Sequence, residues 1–221
     1  MDLFIHLYVV SRLNILYNIS VKGTDNMNYY DSINKILKKN HGIITSKMLR
    51  EKDIPSIYLT RFVEKGVIER VDRGIYAFKD ALFDEYYIFQ QKNTRAIYSF
   101  SSALYLQGLT DRIPYQIEVT LPNTYNSSHI SKGIIIHKVM KKYYMIGRTI
   151  KMTSFGNMVF SYDMERTICD LVRFRKNIDV EIFSKAIKNY RSHKDRNYAK
   201  LREYAQVFNI QNKINDLLDV V

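Results

Sequence analysis

From Tyr29 onward, apolar residues recur every three or four positions. Tyr29, Ile33, Ile36 and Leu37 would line one face, with Asp31 in the first turn and Lys38 and Lys39 in the last. This spacing predicts an amphipathic helix. His41-Gly42 ends it, Gly42 suiting the left-handed position just past a helix C-terminus. Thr45 is placed to cap the amides of residues 47 and 48 at the start of a second, short helix that buries Met48 and Leu49. Asp53-Ile54-Pro55 interrupts the chain, and Pro55 suits the entry to a third helix. Its inward stripe is read as Leu59, Phe62 and Val63, with Tyr58 at the edge and Gly66 closing the helix. Val67 to Val71 and Ile75 to Phe78, either side of Asp72-Arg73-Gly74, read as two strands joined by a tight turn.

Three helices followed by a β-hairpin is the order of a winged helix-turn-helix, placed here at residues 27–80. On a helical wheel the third helix turns Ile57, Thr60, Arg61 and Glu64 away from the core, flanked by Ser56 and Lys65. In such a fold that face meets the major groove. Arg70 and Arg73, read at the hairpin tip, suit phosphates or a narrow minor groove. With Lys47 on the second helix, these residues make up the expected DNA-binding set. The competing reading is a protein-binding adaptor that docks a partner through the same elements.

Residues 81–221 are read as a second, mixed α/β domain, so the whole chain is expected to be α+β. Asp84 to Gln91 starts an aromatic-rich helix, and a further helix capped by Ser99 or Ser101 runs to Gln107 and stops at Gly108. Ile117, Val119 and Leu121 alternate with polar neighbours between Pro114 and Pro122, as in a half-buried strand. Gly133 to Val139 and Thr149 to Phe160 add strand-like runs, and from Asp163 the pattern is helical to the end.

The chain has 221 residues and a mass of 26.2 kDa. With 46% hydrophobic residues, only 8 Gly and 3 Pro, it can bury a real core, which excludes the disordered and low-complexity classes. Thirty-four Lys and Arg against 22 Asp and Glu leave a net charge of +12, so the molecule attracts polyanions. Residues 27–80 hold 11 basic and 7 acidic side chains, whereas residues 81–221 hold 21 and 13, so most of the excess lies outside the expected reader. No acidic residue occurs between Glu118 and Asp163. Lys132, Lys138, Lys141, Lys142, Arg148 and Lys151 fall in that stretch, and Lys188, Arg191 and Lys194 form a second grouping. Together they are read as a second surface for a nucleic-acid backbone, against the simpler reading of an ordinary solvated exterior.

Catalytic signals are sparse. Cys169 sits beside the stripe Met164, Ile168, Leu171 and Val172, as inert packing does. Being the only cysteine, it forms no internal disulfide and fits a reducing cytoplasm. The five histidines lack metal-ligand spacing, and phosphate-loop, dinucleotide and zinc-protease motifs are absent. Asp111 and Glu118 lack the context of a nuclease metal site. Asp163 reads as an N-cap and Glu165 as a first-turn acid that complements the helix dipole. Neither catalysis nor a cofactor is expected. Residues 1–26 carry an apolar run at 3–10, too short for the roughly 20 residues of a membrane span and without the flanks of a secretory signal. They stand apart from the patterns that follow, and Met27 is read as an alternative start.

The runs G-I-I-T-S-K-M-L at 42–49, D-I-P-S-I-Y-L-T-R-F-V-E-K-G at 53–66 and V-I-E-R-V-D-R-G-I-Y at 67–76 resemble the winged-helix domain of AbiEi-type antitoxins from abortive-infection systems. S-F-S-S-A-L-Y-L-Q-G-L at 99–109, I-E-V-T-L-P at 117–122 and Y-D-M-E-R-T-I-C-D-L at 162–171 resemble blocks of that family's C-terminal domain. The resemblance implies a type IV antitoxin acting in phage defence that also represses its own operon by binding inverted repeats in promoter DNA. It further implies a C-terminal domain that aids cooperative DNA binding and counteracts the AbiEii nucleotidyltransferase-like toxin without a stable complex. By position, Ser56, Thr60 and Arg61 map to the recognition helix, and Arg70 and Arg73 to the wing.

Overall fold

The computed structural model describes residues 27–79, 82–130 and 132–219; the apolar run at 3–10 and the reading of residues 1–26 lie outside them. The first helix, α1 (Met27–Lys39), begins two residues before the first apolar position of the pattern, so Asp31 falls beyond its first turn. It ends in a six-residue cap, Gly42 N donating to Leu37 O at 2.8 Å. His41, not Gly42, takes the first left-handed position past the helix, two residues after Lys39 with φ 48°, and Gly42 follows at φ 87°. Gly42 is needed for a second reason: a Cβ there would stand 2.5 Å from Cδ2 of Phe78.

Next come β1 (Ile43–Thr45), α2 (Ser46–Arg50), α3 (Ile57–Glu64), β2 (Ile68–Asp72) and β3 (Ile75–Phe78). Thr45 caps α2 as expected, its hydroxyl accepting from Met48 N at 3.1 Å. Strand β1 was not anticipated; it pairs antiparallel with β3, which also pairs with β2, giving a sheet in the order β1-β3-β2. In α3 the buried residues are Tyr58, Leu59 and Phe62, whereas Val63 is 36% exposed. The sequence reading reversed Tyr58 and Val63. The reason is an aromatic contact: Tyr58 meets Tyr30 edge-on at 5.4 Å, and Tyr30 stacks on Phe62 at 5.3 Å. These rings join Ile33, Leu37, Ile44, Leu49, Ile68 and Phe78 in one core.

The chain divides into two compact units, the first running to Ile88 and taking in Ser154–Asn157, the second made of Phe89–Thr153 and Met158–Val221. The division falls within α4 (Glu85–Lys92), whose start is fixed by Asp84 accepting from Tyr87 N at 3.0 Å.

The second unit holds β4 (Ile97–Tyr98), α5 (Phe100–Leu106), β5 (Glu118–Pro122), β6 (Ile135–Val139), α6 (Lys141–Tyr144), β7 (Arg148–Met152) and β8 (Met158–Tyr162). Its sheet runs β6-β5-β4-β8-β7, with β4/β5 and β7/β8 antiparallel and β4/β8 and β5/β6 parallel. The expected run from Thr149 to Phe160 is thus two strands folded back on each other. Helix α6, four residues long, was not anticipated. Ser99 stands at the N-cap of α5, yet its hydroxyl makes no cap bond; α5 instead opens with Phe100 at φ 48°. Gly108 follows the helix at φ 71°, where its stop was expected.

The remaining helices are α7 (Met164–Arg173), α8 (Val180–Ser192), α9 (Tyr198–Val207) and α10 (Gln211–Asp219), with a 3-10 turn at Arg175–Asn177. Asp163 caps α7, accepting from Arg166 N at 2.8 Å. Met164, Ile168, Leu171 and Val172 are buried as read, but so are the polar residues between them. Glu165 stands in the first turn as read, but it is also buried and accepts from Tyr190 Oη at 3.2 Å and Asn197 N at 3.0 Å. Arg166 is wholly buried and donates from Nη1 to the carbonyls of Tyr143 and Ile146 at 2.7 and 2.8 Å. Its guanidinium lies 4.2 Å from the Tyr162 ring centroid and 4.5 Å from that of Phe208. Cys169 is buried beside it, and burial, reinforced by the Asp170 charge, pushes its thiol up to about 12. An unreactive packing role follows. Among the described residues no helix is long and apolar enough to cross a membrane.

Candidate nucleic-acid interface

Helix α3 is set by what precedes it. Asp53, at φ 52°, turns the chain out of α2, and Ile54 N closes on Leu49 O at 3.0 Å. Pro55 precedes the N-cap Ser56 of α3, its carbonyl accepting from Tyr58 N at 3.2 Å. With Tyr58, Leu59 and Phe62 held in the core, the opposite face is left outward. Ser56, Ile57, Thr60 and Lys65 are exposed there, Ile57 to 50%, and Arg61 is half-buried. The Arg61 guanidinium sits 5.1 Å from the Tyr58 ring centroid, and Lys65 Nζ lies 5.1 Å from that of Tyr30. Both cations are therefore steered by the rings that fix the helix. The Ser56 hydroxyl makes no cap bond.

The hairpin has a bulge between Arg70 and Asp72 and turns at Gly74, φ 72°. Asp72 Oδ1 accepts from Arg73 N at 2.6 Å, which places Arg73 at the exposed tip. Arg70 lies inside the strand opposite Tyr76, with Nε donating to Asp72 O at 3.3 Å. Ser46 N donates to Gly74 O at 2.8 Å, tying the turn to the start of α2. Lys47 is exposed one residue later and approaches Glu51 at 3.8 Å.

The second group of cations is dispersed. Lys138 lies on β6 and Arg148 and Lys151 on β7, which are opposite edges of the five-stranded sheet, roughly 19 Å apart across four strand spacings. Lys138 donates to Tyr125 O at 2.6 Å, and the Arg148 guanidinium carbon lies 3.6 Å from the Phe160 ring centroid. Lys132 is exposed in the turn before β6, Lys141 and Lys142 are exposed on α6, and Lys194 is exposed after α8. Lys188 and Arg191, on α8, come together at a cavity with Arg175, Lys176 and Lys213. The sequence reading did not single out those three, although the run Arg173-Phe174-Arg175-Lys176 carries two of them; Lys213 lies far along the chain.

Asp111 and Glu118 are engaged separately, Asp111 with Lys185 at 3.4 Å and Glu118 with His137 at 2.8 Å. Among the described residues no group of three His, Cys, Asp or Glu is arranged to hold a metal ion.

Comparison with known proteins gives a match to a family model within the first unit. No curated protein matches the chain. Among solved structures, the RV2827C protein from Mycobacterium tuberculosis is similar at 10% identity and a TM-score of 0.46, over 86% of this chain and 80% of that one. Residues 31–79, which hold most of α1 and run on through β3, match the family model described as "Transcriptional regulator, AbiEi antitoxin", and over that segment the AbiEi resemblance is met.

Proposed function

We propose that the chain is an AbiEi-type antitoxin that also represses its own operon, with residues 27–80 acting as a winged helix-turn-helix on promoter DNA carrying inverted repeats. Residues 81–221 would form the antitoxin domain. One observation carries this reading: α3 commits one face to the core and leaves Ser56, Ile57, Thr60, Arg61 and Lys65 along the other. A helix of that kind fits a major groove about 12 Å wide, where Arg reads guanine and a hydroxyl or apolar group reads its neighbours. Arg70 and Arg73 on the hairpin suit backbone phosphates, as Lys47 does near the α2 N-terminus. The family match over residues 31–79 supports a regulator with antitoxin activity.

In this reading the functional partner is an AbiEii nucleotidyltransferase-like toxin, countered in the cytoplasm as part of phage defence. No stable complex and no catalytic step by this chain are involved. A gel-shift titration against the chain's own upstream promoter and a scrambled duplex, at two salt concentrations, tests it. Promoter preference at both salts is the expected result. Equal binding, or no retardation at low salt, would leave a protein-binding adaptor in its place.

A further inference from the structure

In the second unit the end of α7, the 3-10 turn, α8 and α10 surround a cavity of about 950 Å³. That is the upper end of the range of small-molecule sites, about 300–1,000 Å³. Its floor is apolar, formed by Val172, Phe183, Ile187 and Leu217. Its rim is cationic: Arg175, Lys176, Lys188, Arg191 and Lys213 line it, against one carboxylate, Asp216.

Two of these cations also build the walls. Arg191 donates to the Leu217 carbonyl and so ties α8 to α10, while Arg175 donates to Ile178 O at 3.1 Å and lies 4.4 Å from the Phe183 ring centroid. Lys176, Lys188 and Lys213 are exposed. No described carboxylate forms an ion pair with them.

A surface meant only for a nucleic-acid backbone needs cations but no apolar hollow beneath them, and a core defect would not be ringed by charge. We propose that this cavity binds a small amphipathic organic anion, with an aromatic or aliphatic body on Phe183 and Ile187 and a carboxylate, sulfonate or phosphate held by the rim. This goes beyond the DNA-binding reading and does not depend on it.

The test uses the full chain and 8-anilinonaphthalene-1-sulfonate, with neutral N-phenyl-1-naphthylamine as its uncharged counterpart. The expected result is saturable one-to-one binding of the sulfonate, with the neutral probe about tenfold weaker. Lys176→Glu combined with Lys188→Glu, both on the exposed rim, should weaken the sulfonate about tenfold at unchanged melting temperature. Ser184→Trp, which fills the hollow without changing charge, should abolish it. Binding that is absent, non-saturating or unmoved by either variant would overturn the proposal. So would complete displacement of the probe by duplex DNA, which would assign the rim to a polyanion.

Discussion

Arg166 Nε donates to Asp170 Oδ2 at 2.9 Å, with both side chains cut off from water one helical turn apart. The pair is closed by Arg173, whose Nη1 donates to Asp170 Oδ1 at 2.9 Å. An ion pair in such a place contributes little net stability, because desolvation offsets attraction, but removing one partner strands a buried charge. Asp170→Ala is therefore expected to cost about 3–5 kcal/mol, and Arg166→Met combined with Asp170→Ala distinctly less. Urea unfolding of the two variants checks this; a double variant no more stable than the single one would refute it.

Gly147 is pressed against the same arginine. At φ 77°, a Cβ on it would lie 2.4 Å from the Arg166 Cβ. Gly66, at φ 66°, has open space where its Cβ would be. Gly66→Ala should thus cost only the left-handed penalty of about 1–2 kcal/mol. Gly147→Ala adds a clash with a rigid buried group and should cost more. Equal denaturation midpoints for the two variants would contradict the reading.

DNA affinity separates the two arginines of the proposed interface. Arg61→Ala should weaken promoter binding by about 1–3 kcal/mol and leave scrambled DNA little changed, as loss of a base contact does. Arg73→Ala should weaken both duplexes alike and lower the salt slope by about one. If Arg61→Ala affected both duplexes equally, its base-reading role would be lost.

Alkaline pH should unfold the protein through its buried phenols. Burial and then the Asp84 charge push Tyr87 up to about 12, and burial and then Asp163 do the same for Tyr204. Tyr190 is also raised, by burial and then by Glu165. Because these groups hold their protons more tightly folded than unfolded, the stability they contribute is full below about pH 10 and is lost as pH rises through the folded values. Urea midpoints from pH 8 to 12 should fall above pH 10, and less steeply in Tyr190→Phe. A flat profile would count against it.

The readable elements were those long enough to show a period. Helices α1 and α7 and the β2–β3 hairpin follow from spacing and turn residues. Strand β1 and helix α6, with three and four residues, are too short for periodicity, and β1 exists because β3 offers it a free edge. Tyr58 was misplaced because helical spacing ranks Val63 as equally apolar, while the ring of Tyr30 decides between them. The cations of the acid-free stretch looked contiguous for a different reason. Sequence neighbours on β6 and β7 are separated by three intervening strands, and strand order is a tertiary fact.

That strand order also sets a timetable for synthesis. The first three-stranded sheet joins segments within residues 43–78, so its partners emerge from the ribosome close together. Strand β4 pairs Tyr98 with Ser161, 63 residues later. At about 5–20 residues per second, β4 waits roughly 3–13 seconds for its second neighbour. Throughout that interval a central strand stands as an open edge, the kind of surface that attracts chaperones or other nascent chains. A message broken before the codon for Ser161 therefore yields a product whose first unit has most of its partners and whose second has an unclosed sheet.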